Sequence, residues 1–251
     1  TALEVDGVFD DCQDMVKTAF LDEDITKHKQ LTSANSINVA RWLPQMFYYF
    51  IAYRALKKIN KPLVISVPSG NFGNICAGLM AREIGLPIDH FIASTNINDV
   101  VPDFLSSGVY TPKKSSPTIS NAMDVGDPSN FIRILKIFGD DFDNLKETLS
   151  GFRFTDDETR EALKEIHEIS GYIADPHGAV GYLGLKEYLK DHPEKYGIFL
   201  ETAHPVKFLD TVEDTLNIKV DIPERLKDTL SKTKKSIEIQ DYQGLKDFLL
   251  R

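Results

Sequence analysis

Residues 69–74 read Ser-Gly-Asn-Phe-Gly-Asn, two glycines and three hydrogen-bonding side chains set between a short apolar run and a segment of helical periodicity. That combination can receive a phosphate. The first N–H groups of a helix have no intrahelical partner and the helix dipole is positive there, so an anion can be held by main chain alone. Gly70 and Gly73 would let the backbone approach it without a Cβ in the way, while Ser69, Asn71 and Asn74 add side-chain donors. Neither common nucleotide loop is present: no Gly-Lys-Ser/Thr follows four variable positions, and the third glycine of the dinucleotide fingerprint is missing. Loop chemistry alone also fits an ordinary strand-to-helix turn that uses glycine and asparagine for local geometry.

Two further polar turns carry candidate groups. Ser-Ala-Asn-Ser-Ile-Asn at 33–38 is followed by Arg41, so a helix entrance there would offer amides beside a fixed cation for a second phosphate, or simply a surface arginine next to a cap. Glu-Thr-Ala-His-Pro at 201–205 is followed by Lys207. His177 and His204 each precede or open a helix and either could shuttle a proton, yet no carboxylate or nucleophile at fixed spacing makes a triad. No His-Glu-x-x-His and no cysteine pair suggests a metal. Cys12 and Cys76 lie far apart, which fits a reducing, cytoplasmic compartment; Cys76 reads as a small buried residue and is given no role.

The elements that must position these turns follow from periodicity. A buried-type strand at 63–67 is closed by Pro68, and Phe72, Ile75, Leu79 and Ile84 then recur at roughly helical spacing up to Gly85. A second strand at 90–95 makes a βαβ crossover, which implies parallel strands with helices on both faces. A strand at 2–5 and a helix capped by Asp10 or Asp11, with Val16, Phe20 and Ile25 inward, open the chain. Residues 42–56 are apolar all round and predict a buried helix, with Phe47, Tyr48, Tyr49, Phe50 and Tyr53 as core. A short helix at 98–107 precedes a long polar loop at 110–130 of the kind that borders sites. Helices follow at 128–138, at 156–169 with Thr155 and Glu158 at capping-box spacing, and at 176–189. A strand at 197–201 delivers the 202–205 turn at its carboxyl end, where open α/β sheets collect ligand groups. Residues 223–251 read as a charged peripheral cover with two short amphipathic segments.

The 251 residues suffice for a large α/β domain, and 42% apolar with 27% charged content is ordinary for a globular protein. A net charge of −9 disfavours nucleic-acid and anionic-membrane surfaces, and no apolar run approaches a membrane span.

Seven segments, in order, resemble threonine synthases: Asp-Gly-Val-Phe-Asp-Asp-Cys-Gln at 6–13, Ser-Ala-Asn-Ser-Ile-Asn at 33–38, Val-Pro-Ser-Gly-Asn-Phe-Gly-Asn at 67–74, Ser-Thr-Asn-Ile-Asn at 94–98, Ser-Asn-Ala-Met-Asp-Val at 120–125, Asp-Pro-His at 175–177, and Thr-Ala-His-Pro at 202–205 with Lys207 and Phe208. The resemblance implies a pyridoxal 5'-phosphate enzyme of the tryptophan-synthase β-like fold (fold type II), a three-layer α/β arrangement with a mostly parallel sheet, here incomplete. It implies conversion of O-phospho-L-homoserine and water to L-threonine and phosphate, a step of threonine biosynthesis. Cofactor contacts are expected at Gly70, Asn71, Phe72, Gly73 and Thr202, and substrate-phosphate contacts at Asn35, Ser36, Asn38, Arg41 and Asn74. The lysine that forms the Schiff base in the family, in a Phe-Lys-Asp context, has no counterpart here, and Lys61, Lys113 and Lys207 stand in other contexts. The expectation is therefore the C-terminal portion of a longer protein, inactive alone and partnered by a missing N-terminal portion: residues 1–30 end a smaller domain, 31–215 form most of the large one, and 216–251 are peripheral helices. Another lyase of the same fold, such as a dehydratase or a cysteine synthase, and a non-catalytic phosphate-binding domain remain as alternatives.

Overall fold

The computed structural model describes residues 1–56, 58–230 and 232–251, without the side chains of 229 and 230. In chain order the strands are β1 (Leu3–Val5), β2 (Leu63–Pro68), β3 (His90–Thr95), β4 (Leu149–Arg153), β5 (Tyr196–Phe199) and β6 (Ile237–Ile239). The helices are α1 (Phe9–Leu21), α2 (Glu23–Thr26), α3 (Val39–Trp42), α4 (Met46–Leu56), α5 (Gly73–Glu83), α6 (Val100–Ser107), α7 (Phe131–Ile137), α8 (Phe142–Thr148), α9 (Asp156–Ser170), α10 (Pro176–Asp191), α11 (Leu209–Leu216), α12 (Glu224–Leu230) and α13 (Tyr242–Leu250), with short 3-10 turns at Leu43–Gln45, Asn121–Met123 and Pro205–Phe208.

Contacts divide the chain into two units, residues 34–220 and residues 1–33 with 221–251. In the larger unit a four-stranded sheet runs β4-β3-β2-β5, every neighbouring pair parallel. Strand alternation sorts its two faces. Leu63, Ile65, Val67, Phe91 and Ala93 enter a large core with Ile75 and Leu79 of α5 and Tyr49 of α4, whereas Val64 and Ile92 pack on Leu185 and Tyr188 of α10. Helix α10 lies close because Gly184 leaves room: a Cβ there would fall 1.8 Å from Ser94 Oγ. Ser66 Oγ donates to the Gly181 carbonyl at 2.6 Å and pairs with Ser94 Oγ at 2.8 Å, so the two buried hydroxyls are satisfied. This is the three-layer α/β arrangement expected, and it sets the carboxyl ends of β2, β3 and β5 along one edge.

In the smaller unit β1 pairs in parallel with β6, Leu3 opposite Ile237. Tyr242 donates to Asp22, and Lys246 bridges Asp22 and Asp24. The last residues thus share a unit with the first thirty-three, where the sequence had suggested separate pieces with breaks at 30/31 and 215/216; the expected two-segment cover also runs over residue 231, outside the described residues. Helix α1 starts from Val8, whose N–H donates to Asp11 at 2.8 Å, and Phe20 is exposed rather than inward.

Three other expectations need correction. Helix α4 is not buried all round: Tyr49 is fully enclosed, but Phe47 and Ile51 are 65% and 57% exposed. Helix α8 and edge strand β4 have no counterpart in the sequence reading, since Leu-Ser-Gly-Phe-Arg lacks both an apolar run and clean alternation. Residues 128–130 precede α7 instead of belonging to it.

Candidate functional site

The turn after β2 stands where the sequence placed it, at the amino end of the eleven-residue α5, but its side chains are spoken for. Ser69 donates its N–H to the Ser94 carbonyl and its hydroxyl to the Val67 carbonyl. Asn71 Oδ1 accepts from the N–H and hydroxyl of Ser129 at 2.7 and 2.9 Å, and its Nδ2 donates to Ser36 Oγ. Asn74 Oδ1 accepts from the Tyr49 hydroxyl at 2.6 Å. The main-chain donors are different. Among the described residues nothing accepts from the N–H groups of Gly70, Asn71, Phe72, Gly73 or Asn74. Phe72 adopts φ +60°, ψ 15°, a left-handed conformation that turns successive N–H groups into an anion-binding concavity and that a phenylalanine takes only where its surroundings hold it. Its ring is held edge-on to Phe131 at 5.8 Å.

The glycines serve a different end from the one expected. A Cβ at Gly70 would meet Met123 Cα at 2.6 Å and the Ala122 carbonyl at 2.8 Å, and one at Gly73 would meet Ser36 Cβ at 2.8 Å. They let neighbouring chain close on the turn. The 120–125 segment is pinned in turn by Asn96 at the end of β3, whose Nδ2 reaches Thr118 Oγ1 and Asp124 Oδ1, both at 2.8 Å.

A cavity of about 770 Å³ opens beside the turn. Gly70, Asn71, Phe72, Gly73 and Asn74 line it together with Thr202, as do Ser36, Tyr48 and Glu201. Its size is that of a small-molecule site. Unengaged main-chain donors at a helix amino end, a concave backbone and room beside them fit a phosphate ester; a polar Thr202 shares the same space.

The second expected cluster is only partly there. Ser36 and Asn74 line the cavity, but Asn35, Asn38 and Arg41 do not. Asn38 caps the four-residue α3, accepting from Ala40 N–H at 3.1 Å, and Arg41 folds its Nε back onto the Ala34 carbonyl at 2.7 Å. Asn35 Oδ1 accepts from Ser36 Oγ and the Ile37 N–H, both at 3.3 Å. Sequence reasoning missed Arg133 and Asn130, which hold this turn from behind. Arg133 donates to the Ser36 carbonyl at 2.8 Å, and Asn130 Nδ2 donates to Ser36 Oγ and to the Asn71 carbonyl, each at 2.9 Å. Nothing local marks them, because these partners lie 59 to 97 residues away.

No lysine or arginine lines the cavity among the described residues. Lys61 lies at the opposite end of β2, and Lys113 is bound to Asp99 and Asp103. Burial pushes the Cys76 thiol up to about 12, so it is inert. His204 accepts from the Val206 N–H and caps the next turn. His177 is buried, with its Nδ1 2.6 Å from Asp175 Oδ1.

A family model described as Pyridoxal-phosphate dependent enzyme matches residues 1–200, and one described as Threonine synthase, C-terminal, matches residues 178–249. The chain is 47% identical over 250 residues to the threonine synthase of Buchnera aphidicola subsp. Schizaphis graminum, covering 99% of this chain and 57% of that protein. It is 47% identical over 224 residues to that of Escherichia coli, covering 88% and 51%. The crystal structure of Escherichia coli threonine synthase superposes with a TM-score of 0.94 at 42% identity, over 99% of this chain and 57% of that one. The PLP-bound threonine synthase of Brucella melitensis superposes with a TM-score of 0.83 at 31% identity, over 98% and 58%. The chain thus spans little more than half the length of the relatives it matches. With 200 of its residues under one family model, the chain belongs to the pyridoxal-phosphate dependent enzymes, and within them its similarity runs to the threonine synthases.

Proposed function

We propose that this chain provides the phosphate-binding part of a threonine synthase site, acting on O-phospho-L-homoserine and water to release L-threonine and phosphate. The observation that carries the reading is the shared cavity: five unengaged main-chain N–H groups at 70–74 on one wall and Thr202 on another. Gly70, Asn71, Phe72 and Gly73 would hold the phosphate of pyridoxal phosphate, and the neutral Thr202 hydroxyl would meet its ring nitrogen without forcing a proton onto it. The cofactor, when bound, supplies the electron sink of the reaction. Ser36 and Asn74 would orient the substrate phosphate; Asn35, Asn38 and Arg41 act from farther out, by shaping and closing the 34–38 turn.

The lysine that anchors the cofactor covalently belongs, on this reading, to a segment equivalent to the part of the relatives that the chain does not span. Residues 1–33 with 221–251 would belong to the smaller domain and residues 34–220 to the large one. Alone the chain binds but does not turn over. A cytoplasmic setting suits the two free cysteines. No helix among the described residues is long and apolar enough to cross a membrane.

Titration of pyridoxal phosphate into the full chain is expected to give saturable absorbance changes that inorganic phosphate competes away and borohydride does not make permanent. Adding the complementary segment of a threonine synthase should bring turnover of O-phospho-L-homoserine. Absence of saturable binding in both settings overturns the proposal.

A further inference from the structure

Beside Thr202, the Glu201 carboxyl is enclosed in a way the proposed chemistry does not use. Both of its oxygens are shut off from solvent without a hydrogen-bond partner, and so is Asp175 Oδ2. The carboxyl presses on the first turn of α10, where a Cβ at Gly178 would fall 1.9 Å from Oε1. Asp175 caps that same turn, its Oδ1 accepting from the His177 N–H at 2.8 Å and facing His177 Nδ1 at 2.6 Å. On the far side of the ring, His177 Nε2 accepts from the Ala122 N–H at 3.2 Å. An acceptor at Nε2 requires the proton on Nδ1, which then donates to Asp175. One proton between two neighbouring carboxyls gives one oxygen of each a partner and removes the repulsion of two buried charges.

We propose that Glu201, Asp175 and His177 form a proton-sharing positioning relay. Glu201 stays a neutral acid donating to Asp175 Oδ2, Asp175 stays ionised and orients His177, and His177 holds Ala122 and Met123 against Gly70. The relay thereby shapes the phosphate turn without touching the ligand. It does not depend on which phosphate ester the cavity takes.

The electrostatics agree. Burial, together with the adjoining Asp175 carboxylate, pushes Glu201 up to about 9. Burial works against ionising Asp175, but the hydrogen bonds it receives from the His177 side chain, from Glu201 and from the His177 N–H hold that carboxyl below its usual range. Tyr172 faces both acids and is raised, first by burial and then by their negative charge. Phe208 covers the His177 ring at 4.8 Å and brings no charge. Above pH 9 the relay would lose its proton and set two carboxylates against each other, so the turn should loosen and phosphate affinity should fall, by at most about tenfold per pH unit.

Infrared difference spectroscopy of the full chain across pH 7 to 10 tests this without any ligand. The expected result is the carbonyl stretch of a protonated carboxylic acid at neutral pH, lost near pH 9 and absent in Glu201→Gln. Nitrogen NMR of His177 should show Nδ1 protonated and Nε2 bare. With inorganic phosphate as probe, the alkaline decline in affinity should flatten in Glu201→Gln, whose amide keeps a neutral donor. A carboxylate spectrum for Glu201 at pH 7, or the opposite His177 tautomer, overturns the relay, as does an alkaline limb that persists unchanged in the variant. Should Glu201→Gln fail to fold, the two spectra of the unsubstituted chain still decide. Failure of pyridoxal phosphate to bind would count against the proposed function and leave these spectra unaltered.

Discussion

At the scale of single residues, the site rests on closeness more than on charge. Gly70 shows this best, because the atoms a Cβ would strike, Met123 Cα and the Ala122 carbonyl, are both main chain and cannot swing aside. Replacing glycine by alanine ordinarily gains a few tenths to about 1 kcal/mol by restricting the unfolded chain. Here overpacking of roughly 1–3 kcal/mol opposes that gain. Gly70→Ala is therefore expected to lower stability and to push the 122–123 chain off the turn, weakening pyridoxal phosphate binding by at least about tenfold, since about 1.4 kcal/mol of lost contact suffices. Isothermal titration beside urea unfolding measures both; unchanged affinity would remove Gly70 from the cradle. The residue types were legible in the sequence, whereas their work was only half so. Asn71 and Asn74 look like ligand donors, but the structure spends Asn71 on Ser129 and Ser36 and the side-chain carbonyl of Asn74 on Tyr49, so only the Asn74 amide keeps that role. A polar side chain near a site is as readily a brace as a contact, and its partner decides which. That partner lies elsewhere in the chain.

At the scale of elements, the long loop before α7 is tied down by side chains, and one buried asparagine makes several of the ties. Asn96, 1% exposed, donates through Nδ2 to Thr118 and Asp124 and accepts through Oδ1 from the N–H of Asn98. Asn96→Ala would strip the half-buried Asp124 carboxylate of one donor, and hydrogen bonds to charged groups contribute about 1.5–3 kcal/mol. For a chain of this size each kcal/mol moves the melting temperature by about 2–4 °C. A fall of roughly 3–12 °C is expected, with new protease cleavage confined to 109–130; cleavage elsewhere instead would show that the loop is held by other contacts. The βαβ order around β2 and β3 was readable because each strand is a continuous apolar run between turn residues. Strand β4 was not, since an edge strand carrying Ser150, Gly151 and Arg153 has only one covered flank and needs no apolar run. Helix α4 misled in the other direction: its uniformly apolar sequence predicts burial on all sides, but only Tyr49 is fully buried, with Met46, Tyr53 and Leu56 partly covered against the core.

At the scale of the whole molecule, the pairing of β1 with β6 was invisible because each contributes three residues from opposite ends of the chain, too few to carry a period. One part of the acid response, by contrast, can be traced to a side chain far from the cavity. His90 begins β3 and is 6% exposed, with its Nδ1 3.1 Å from the Glu147 carbonyl, its Nε2 2.8 Å from Ser150 Oγ, and the Tyr188 ring stacked at 4.8 Å. Both nitrogens are satisfied by a neutral ring that donates to the carbonyl and accepts from the hydroxyl. Burial, against the pull of the Glu147 carbonyl, lowers its pKa from 6.5 to about 4. The sign of the effect follows. Below 6.5 the unfolded chain takes up a proton that the folded chain refuses until about pH 4, so the stability His90 confers is full above 6.5 and is lost as pH falls between those values. At about 1.4 kcal/mol per unit, the loss from pH 6.5 to 5 is about 2 kcal/mol. Asp22, held down to about 2 by Lys246 and Tyr242, does not contribute in that window, because its stabilisation persists above 3.8 and fails only nearer pH 2. Across the same window Glu201, which keeps its proton in the folded chain until about 9, works the other way, so the test is a comparison: as pH falls from 6.5 to 5, urea unfolding should show the unsubstituted chain losing about 2 kcal/mol relative to His90→Gln, which can still donate to one neighbour and accept from the other. Equal slopes in the two proteins would mean that His90 takes its proton in the folded state, and the neutral, buried ring would have to be abandoned.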